Sequence, residues 1–217
     1  MESRCRILAA AARVYAEFGF RGATTRRIAT EAGVNEVTLF RTFGSKEALI
    51  EEALRCHATA GGRSAQALPE HPVDPEGELV AWATAQLAEL RDHRSLIRKS
   101  MSELEERPEL APTVTAGWAA CDAVLHDYLG RLRAHGFVDA EQGGADLLAG
   151  GAMLMAALFS DAMGRDMLPA IFPQPEEDAP AVYVRLFLRA VSCRTGVPRA
   201  SGAGAALDDH PQPLTTP

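Results

Sequence analysis

Threonine, arginine and lysine side chains at the first turn of a helix share one use. Together with the unpaired backbone N–H groups there, they hold an anion. Residues 24–49, TTRRIATEAGVNEVTLFRTFGSKEAL, place Thr24, Thr25 and Arg26 at one predicted helix start and Lys46 at another. Between these two starts stand Glu36, Val37, Thr38, Arg41 and Thr42 on one short helical segment. That mixture suits the floor of a DNA major groove. Thr38 and Arg41 reach base edges or phosphates, Val37 fits a thymine methyl, and Glu36 accepts from a cytosine amino group. Glu36 has a second reading, as a charge complementing the positive end of its own helix, and both stand. Thr24, Thr25, Arg26 and Lys46 would hold phosphates on either side of the groove, contacts that fix register and carry no sequence information.

Each of these side chains needs a helix to carry it. A first helix is read from Glu2 or Ser3 to Phe18, where Ile7, Leu8, Ala11, Val14, Tyr15 and Phe18 recur at three- and four-residue spacing. Gly19 ends it, with Phe20 as an apolar anchor. Thr24 caps a second helix, in which Arg26 and Arg27 oppose the positive helix start, a conflict that a bound phosphate resolves. Ile28, Ala29 and Ala32 face inward, Gly33-Val34 makes the turn, and Asn35 caps a third helix that closes at Phe43-Gly44. Ser45 caps a fourth, with Leu49, Ile50, Ala53 and Leu54 on its buried side, running to about Ala60 before Gly61-Gly62 and a proline-bearing connector. The second and third helices are too short to fold alone. They make sense as a helix-turn-helix clamped between longer helices, the third presented to duplex DNA.

The pattern Thr24-Thr25-x-x-Ile28-Ala29-x-x-Ala32-Gly33-Val34-Asn35-x-x-Thr38-Leu39-Phe40-x-x-Phe43-x-Ser45-Lys46-Glu47-x-Leu49, with Gly19-Phe20 ahead of it, resembles the N-terminal signature of the TetR family of bacterial transcriptional regulators. The resemblance covers residues 3–55. It implies a DNA-reading head followed by a variable helical domain that binds a small-molecule effector and dimerises. Two positions depart from the family pattern. Phe40 stands where the family has a tyrosine, so a phenol's hydrogen bond to phosphate gives way to packing or sugar contact. Asn35 replaces the usual serine or threonine cap and serves equally.

Charge is distributed to match. The chain carries −7 overall, from 22 Lys and Arg against 29 Asp and Glu, yet residues 1–60 hold nine basic and seven acidic side chains. A +2 head and a −9 remainder direct DNA to the N-terminal quarter and repel it elsewhere. Cys5, Cys56, Cys121 and Cys193 lie far apart with no Cys-x-x-Cys pair, reading as reduced packing thiols and giving no metal site. The longest uncharged apolar run, Leu147 to Ser160, is too short to span a bilayer. The amphipathic N-terminus is unlike a secretion signal, so a cytoplasmic protein without a membrane partner is expected.

The fold class read from these patterns is all-α: a helix-turn-helix head over 1–60, a larger helical ligand-binding and dimerisation domain over 61–196, and a disordered tail over 197–217. Helix starts are read at Asp74-Pro75, Arg94, Pro108, Asp139 and Asp178 to Pro180. The helix from Arg94 to Glu105 is expected to turn Leu96, Ile97, Met101 and Leu104 inward. Trp82, Met101, Trp118, Cys121, Met153, Met155, Phe159 and Met163 offer an adaptable apolar lining. His93, His126 and Tyr128 are polar groups that would orient a ligand, and plain core packing competes at every one of these positions. The resemblance implies that an effector cavity lies here, without a cofactor. Small residues Ala149, Gly150, Gly151, Ala152, Ala156 and Ala157, with Val182, Leu186, Phe187 and Ala190, would make an isologous four-helix homodimer interface; burial within one protomer fits the same periodicity. Nucleophile, paired-carboxylate and His-x-x-x-His patterns are missing, and Cys56-His57 diverge on a helix, which disfavours an all-helical enzyme. The reading is a ligand-responsive homodimeric repressor of a palindromic operator, with an activator or broad-specificity DNA binder as the alternative.

Overall fold

The computed structural model describes residues 2–64, 67–138 and 144–194. Among these residues the chain is helical, without a strand. The head consists of α1 (Glu2–Gly22), α2 (Thr25–Ala32), α3 (Glu36–Phe43) and α4 (Lys46–Ser64). The body consists of α5 (Pro75–Asp92), α6 (Arg94–Ser102), α7 (Ala111–Ala134), α8 (Gly144–Gly164) and α9 (Ala179–Ala190).

Local chemistry sets most of the boundaries. Gly19, at φ 67° and ψ −178°, breaks α1, and one further turn follows to Gly22. Thr24 Oγ1 accepts from the Arg27 amide at 3.3 Å, Asn35 Oδ1 from Val37 at 2.9 Å, and Ser45 Oγ from Ala48 at 3.1 Å. Asp74 Oδ1 likewise accepts from Gly77 at 3.2 Å. Gly33 adopts the left-handed conformation at φ 62°, which an L side chain resists, and Val34 N–H closes back on the Ala29 carbonyl at 3.0 Å. The α2–α3 turn is thereby fixed from both sides.

Four expected boundaries move. α4 continues through Gly61-Gly62 to Ser64, since an interior glycine costs a helix only about 1 kcal/mol against alanine. α6 ends at Ser102, short of Glu105, and Met101 stands 47% exposed on its outer side. Pro108 opens a 3-10 turn, and α7 proper starts at Ala111. Asp178 is helical in its backbone, makes no side-chain cap, and closes the 3-10 turn leading into α9. Asp139 and the tail over 197–217 lie outside the described residues.

Two apolar clusters result. The first gathers Ile7, Tyr15, Ile28, Leu39, Leu49 and Leu54 from the head and takes in Leu96 of α6 and Leu110. The second joins α5, α7, α8 and α9 around Trp82, Leu125, Tyr128, Leu158 and Phe187. α4 packs along α7 and α1 along α6, so the head is seated on the body.

The glycine pair of α8 acts inside the protomer. A Cβ on Gly150 would lie 2.7 Å from Val191 Cγ1 and 3.1 Å from the Phe187 ring; one on Gly151 would touch Leu129 and Leu125. These glycines bring α8 onto α9 and α7, and Phe187 is buried with them. The stripe expected to dimerise is therefore split. Leu148, Ala149, Ala152, Met153 and Ala156 of α8, with Leu186 and Ala190 of α9, remain exposed. α8 also corrects the membrane argument. At 21 residues and a mean hydropathy of 1.5 it is long and apolar enough to cross a bilayer. Its C-terminal half instead carries a fully buried Asp161, hydrogen-bonded by Arg91, Arg165 and Tyr183, and its neighbours are α5, α6, α7 and α9.

Candidate nucleic-acid interface

With Ile28, Ala29, Ala32 and Leu39 buried, α2 and α3 turn their other faces outward. On α3, Val37 is 71% exposed and Phe40 49% exposed, Arg41 and Thr42 lie in solvent, and Thr38 is half-buried at the edge of the same surface. The Thr42 hydroxyl donates to the Thr38 carbonyl at 2.7 Å, which turns it toward its own helix. Thr24 and Arg26 are exposed at the start of α2. Since Thr24 Oγ1 accepts from Arg27, its proton points elsewhere. Thr25 donates to the Glu36 carboxylate across the turn, so this pair braces α2 against α3. Sequence reasoning assigned Thr25 to phosphate and Glu36 to a base or the helix start; the structure joins them.

Lys46 opens α4 with its Nζ 4.2 Å from the Phe20 ring centroid, and the Arg107 guanidinium stands 3.6 Å from the same ring. Phe20 is thus held by one cation of the head and one of the body, cation–π contacts worth about 0.5–1 kcal/mol each where exposed. Glu103, just past α6, completes the junction. Its carboxylate accepts from the Tyr15 hydroxyl at 2.8 Å and from the Phe20 amide at 2.8 Å, gripping α1 at the Gly19 break. Burial first, and the Glu103 carboxylate second, push the Tyr15 phenol up, keeping it a donor. The sequence signal for Glu103 is indirect: a buried tyrosine needs an acceptor for its hydroxyl.

The body holds a cavity of about 130 Å³ reached by α4, α5, α6, α7 and α8. Of the residues expected to line or orient a ligand, His93, Trp118, Cys121, Met155 and Phe159 meet there. Trp82 is fully buried in the body core away from it, Met163 packs against that core, and Met101 and Met153 face outward; helical spacing shows a face but not what the face meets. His126 pairs with Asp122 at 3.4 Å and Tyr128 donates to Glu78, so neither orients a ligand in the cavity. Trp118 and Phe159 meet edge to face, 5.2 Å between centroids. Cys121 donates to Gln86 Oε1 at 3.0 Å, and burial pushes its thiol up. His93 Nδ1 stands 3.1 Å from the Glu89 carbonyl, and its ring is 5.1 Å from that of His57. Burial, with His93 beside it, pushes His57 below the ordinary histidine range. His57, Gln86 and Glu89 were not predicted, although 86, 89 and 93 share one face of α5 at helical spacing.

Residues 7–53 match the bacterial regulatory proteins of the tetR family. The N-terminal segment of the chain is thus similar to the TetR family. An uncharacterized HTH-type transcriptional regulator of Bacillus subtilis, YvkB, is 32% identical over 124 residues. That alignment spans 57% of this chain and 64% of the relative. A TetR-family transcriptional regulator from Mesorhizobium loti shares the fold at a TM-score of 0.71 and 21% identity, covering 87% of this chain and 96% of that one. Salmonella enterica GusR does so at 0.69 and 22% identity, covering 88% and 96%.

Lys46 stands at the start of α4, and a helix start favours an anion. Lys46→Ala is expected to weaken binding to all DNA sequences alike and to lower the salt slope by about one. Titrations against operator and random duplexes over a salt series check this; unchanged affinity and slope would contradict the placement of α4 against the DNA backbone.

Proposed function

We propose that this chain is a homodimeric transcriptional repressor that reads a palindromic operator with α3 and releases it when a small molecule enters the body cavity. The observation that carries the reading is the exposed surface of α3, flanked by the starts of α2 and α4. The exposed apolar surface of α8 and α9 supports the dimer, which would set two heads about 34 Å apart on one face of the duplex. α4 supports the coupling. It carries Lys46 at one end and lends Leu54 and His57 to the cavity, about 17 Å along the same helix. α6 lines the cavity through Leu96, Ile97 and Ser100 and leads to Glu103 at the α1 break. A ligand that fits only one arrangement of α4 and α6 favours the head spacing of that arrangement.

Sequencing the DNA fragments that the purified protein retains at moderate salt tests this. Retained fragments should share an inverted repeat with half-sites one helical turn apart. Fragments with no common motif, bound with a specificity ratio near one, would show a broad binder instead. Thr38→Ala is expected to change which bases the repeat selects while leaving affinity for random duplex intact. An unchanged selected motif would remove Thr38 from base reading.

A further inference from the structure

We infer that the cavity takes a ring-bearing organic cation of about one aromatic ring, with its ammonium group on the Glu89 carboxylate. The inference rests on the reading of this cavity as the effector site. Charge carries it first. Among the described residues no lysine or arginine lines the cavity, and Glu89 is the lining carboxylate. The neighbouring arginines of the same region are directed elsewhere: Arg91 pairs with Asp161 at 2.9 Å and Glu176 at 2.8 Å, and Arg94 with Asp166 at 3.3 Å. What faces Glu89 within ion-pair reach is the His93 imidazole, 3.4 Å away.

The hydrogen-bond inventory points the same way. The Ser100 hydroxyl donates to the Leu96 carbonyl at 2.8 Å, the Cys121 thiol to Gln86, and His93 Nδ1 is placed to donate to the Glu89 carbonyl. These three donors are occupied within the protein, and the Glu89 carboxylate is an acceptor, so a ligand that brings a donor is matched at Glu89. A carboxylate or phosphate entering here would meet the Glu89 anion and, among the described residues, no lysine or arginine. Trp118 and Phe159 supply aromatic surface that favours a ring and, in Trp118, a face that attracts a cation. The volume, about 130 Å³, is close to that of apolar cavities that hold one benzene ring.

Three probes of one skeleton separate the possibilities: 2-phenylethylamine, 2-phenylethanol and phenylacetate. Binding to the full-length protein is followed by calorimetry, and by Trp118 fluorescence in a Trp82→Phe background, which leaves one of the chain's two tryptophans. The amine should bind about tenfold or more tightly than the alcohol, as a charge-assisted hydrogen bond predicts, and the carboxylate more weakly than either. Glu89→Gln should bring the amine to the level of the alcohol and leave the alcohol unmoved. Phenylacetate binding as tightly as the amine in the wild-type protein overturns the inference, as does an amine preference that survives Glu89→Gln. Silence from all three probes overturns the ligand class and does not bear on the effector reading. Amine-selective binding that leaves operator affinity unchanged upholds the ligand class and overturns the effector reading alone.

Discussion

Met153→Arg is expected to give a folded monomer that binds operator DNA about 10²–10⁴-fold more weakly than the parent. Met153 is 69% exposed on α8, with Leu148 at 53% beside it and Leu186 of α9 at 58%. Ala149, Ala152 and Ala156 are exposed on the same helix, so two rows spaced by four residues make a flat apolar strip. The opposite side of α8 is already committed, through Gly150 and Gly151, to α9 and α7. In an isologous contact the strip meets its own copy, and one arginine becomes two charges buried against apolar surface. The substitution touches nothing in the protomer core, so its effect on folding should stay within about 0.5 kcal/mol. Affinity suffers because a single head is weak: it holds a net charge of +2 over residues 1–60, and Phe40 lacks a hydroxyl for phosphate. Doubling the head makes the second half-site contact intramolecular. Sedimentation, circular dichroism and DNA titration of one sample check all three parts. A variant that still sediments as a dimer would place the interface elsewhere.

The head was readable because its instructions are local. Thr24, Asn35 and Ser45 each accept from an amide two or three residues on, and Gly19 and Gly33 hold backbone angles at single positions. Such features do not depend on what lies elsewhere in the chain. The pairing of Thr25 with Glu36 spans a turn and escaped notice, although both residues were singled out. The body was harder for the same reason on a larger scale. Helical periodicity placed Gly150 and Gly151 on a close-packed face, but Phe187 and Val191, in a different helix, decide that the face is internal. Trp82 and Met101 fit the composition of a cavity lining; one is core and the other surface, because the register between helices assigns them. His57 and Glu89 looked like ordinary polar residues until α4 and α5 brought them together with His93.

The largest expected loss of stability follows from one carboxylate. Asp161→Ala should destabilise the fold by about 3–5 kcal/mol, the range for breaking a buried ion pair from one side. Asp161 is fully buried and accepts from Arg165 Nε at 2.8 Å, from Arg91 at 2.9 Å and from the Tyr183 hydroxyl at 2.8 Å. Arg165 follows the end of α8, Arg91 is on α5 and Tyr183 on α9, so this α8 carboxylate ties three helices together. Its removal strands Arg165, whose side chain is 6% exposed, with one remaining bond to the Pro173 carbonyl at 3.0 Å. Replacing both partners, Asp161→Leu with Arg165→Met, should recover much of the loss, because the penalty belongs to the uncompensated charge rather than to the missing bonds. The pH dependence has a definite sign. Burial alone would raise the Asp161 pKa, but hydrogen bonds from Arg165, Arg91 and Tyr183 together outweigh it and leave the group below the ordinary aspartate value. Its stabilisation is therefore present above the unfolded value of about 3.9 and disappears as pH falls through the lower folded value. Urea unfolding at neutral pH and through the acid range would show a steeper acid decline in the wild-type protein than in Asp161→Ala. Equal curves, or a neutral-pH difference under about 1 kcal/mol, would mean that water or a rearranged Glu176 takes over the arginines at little cost.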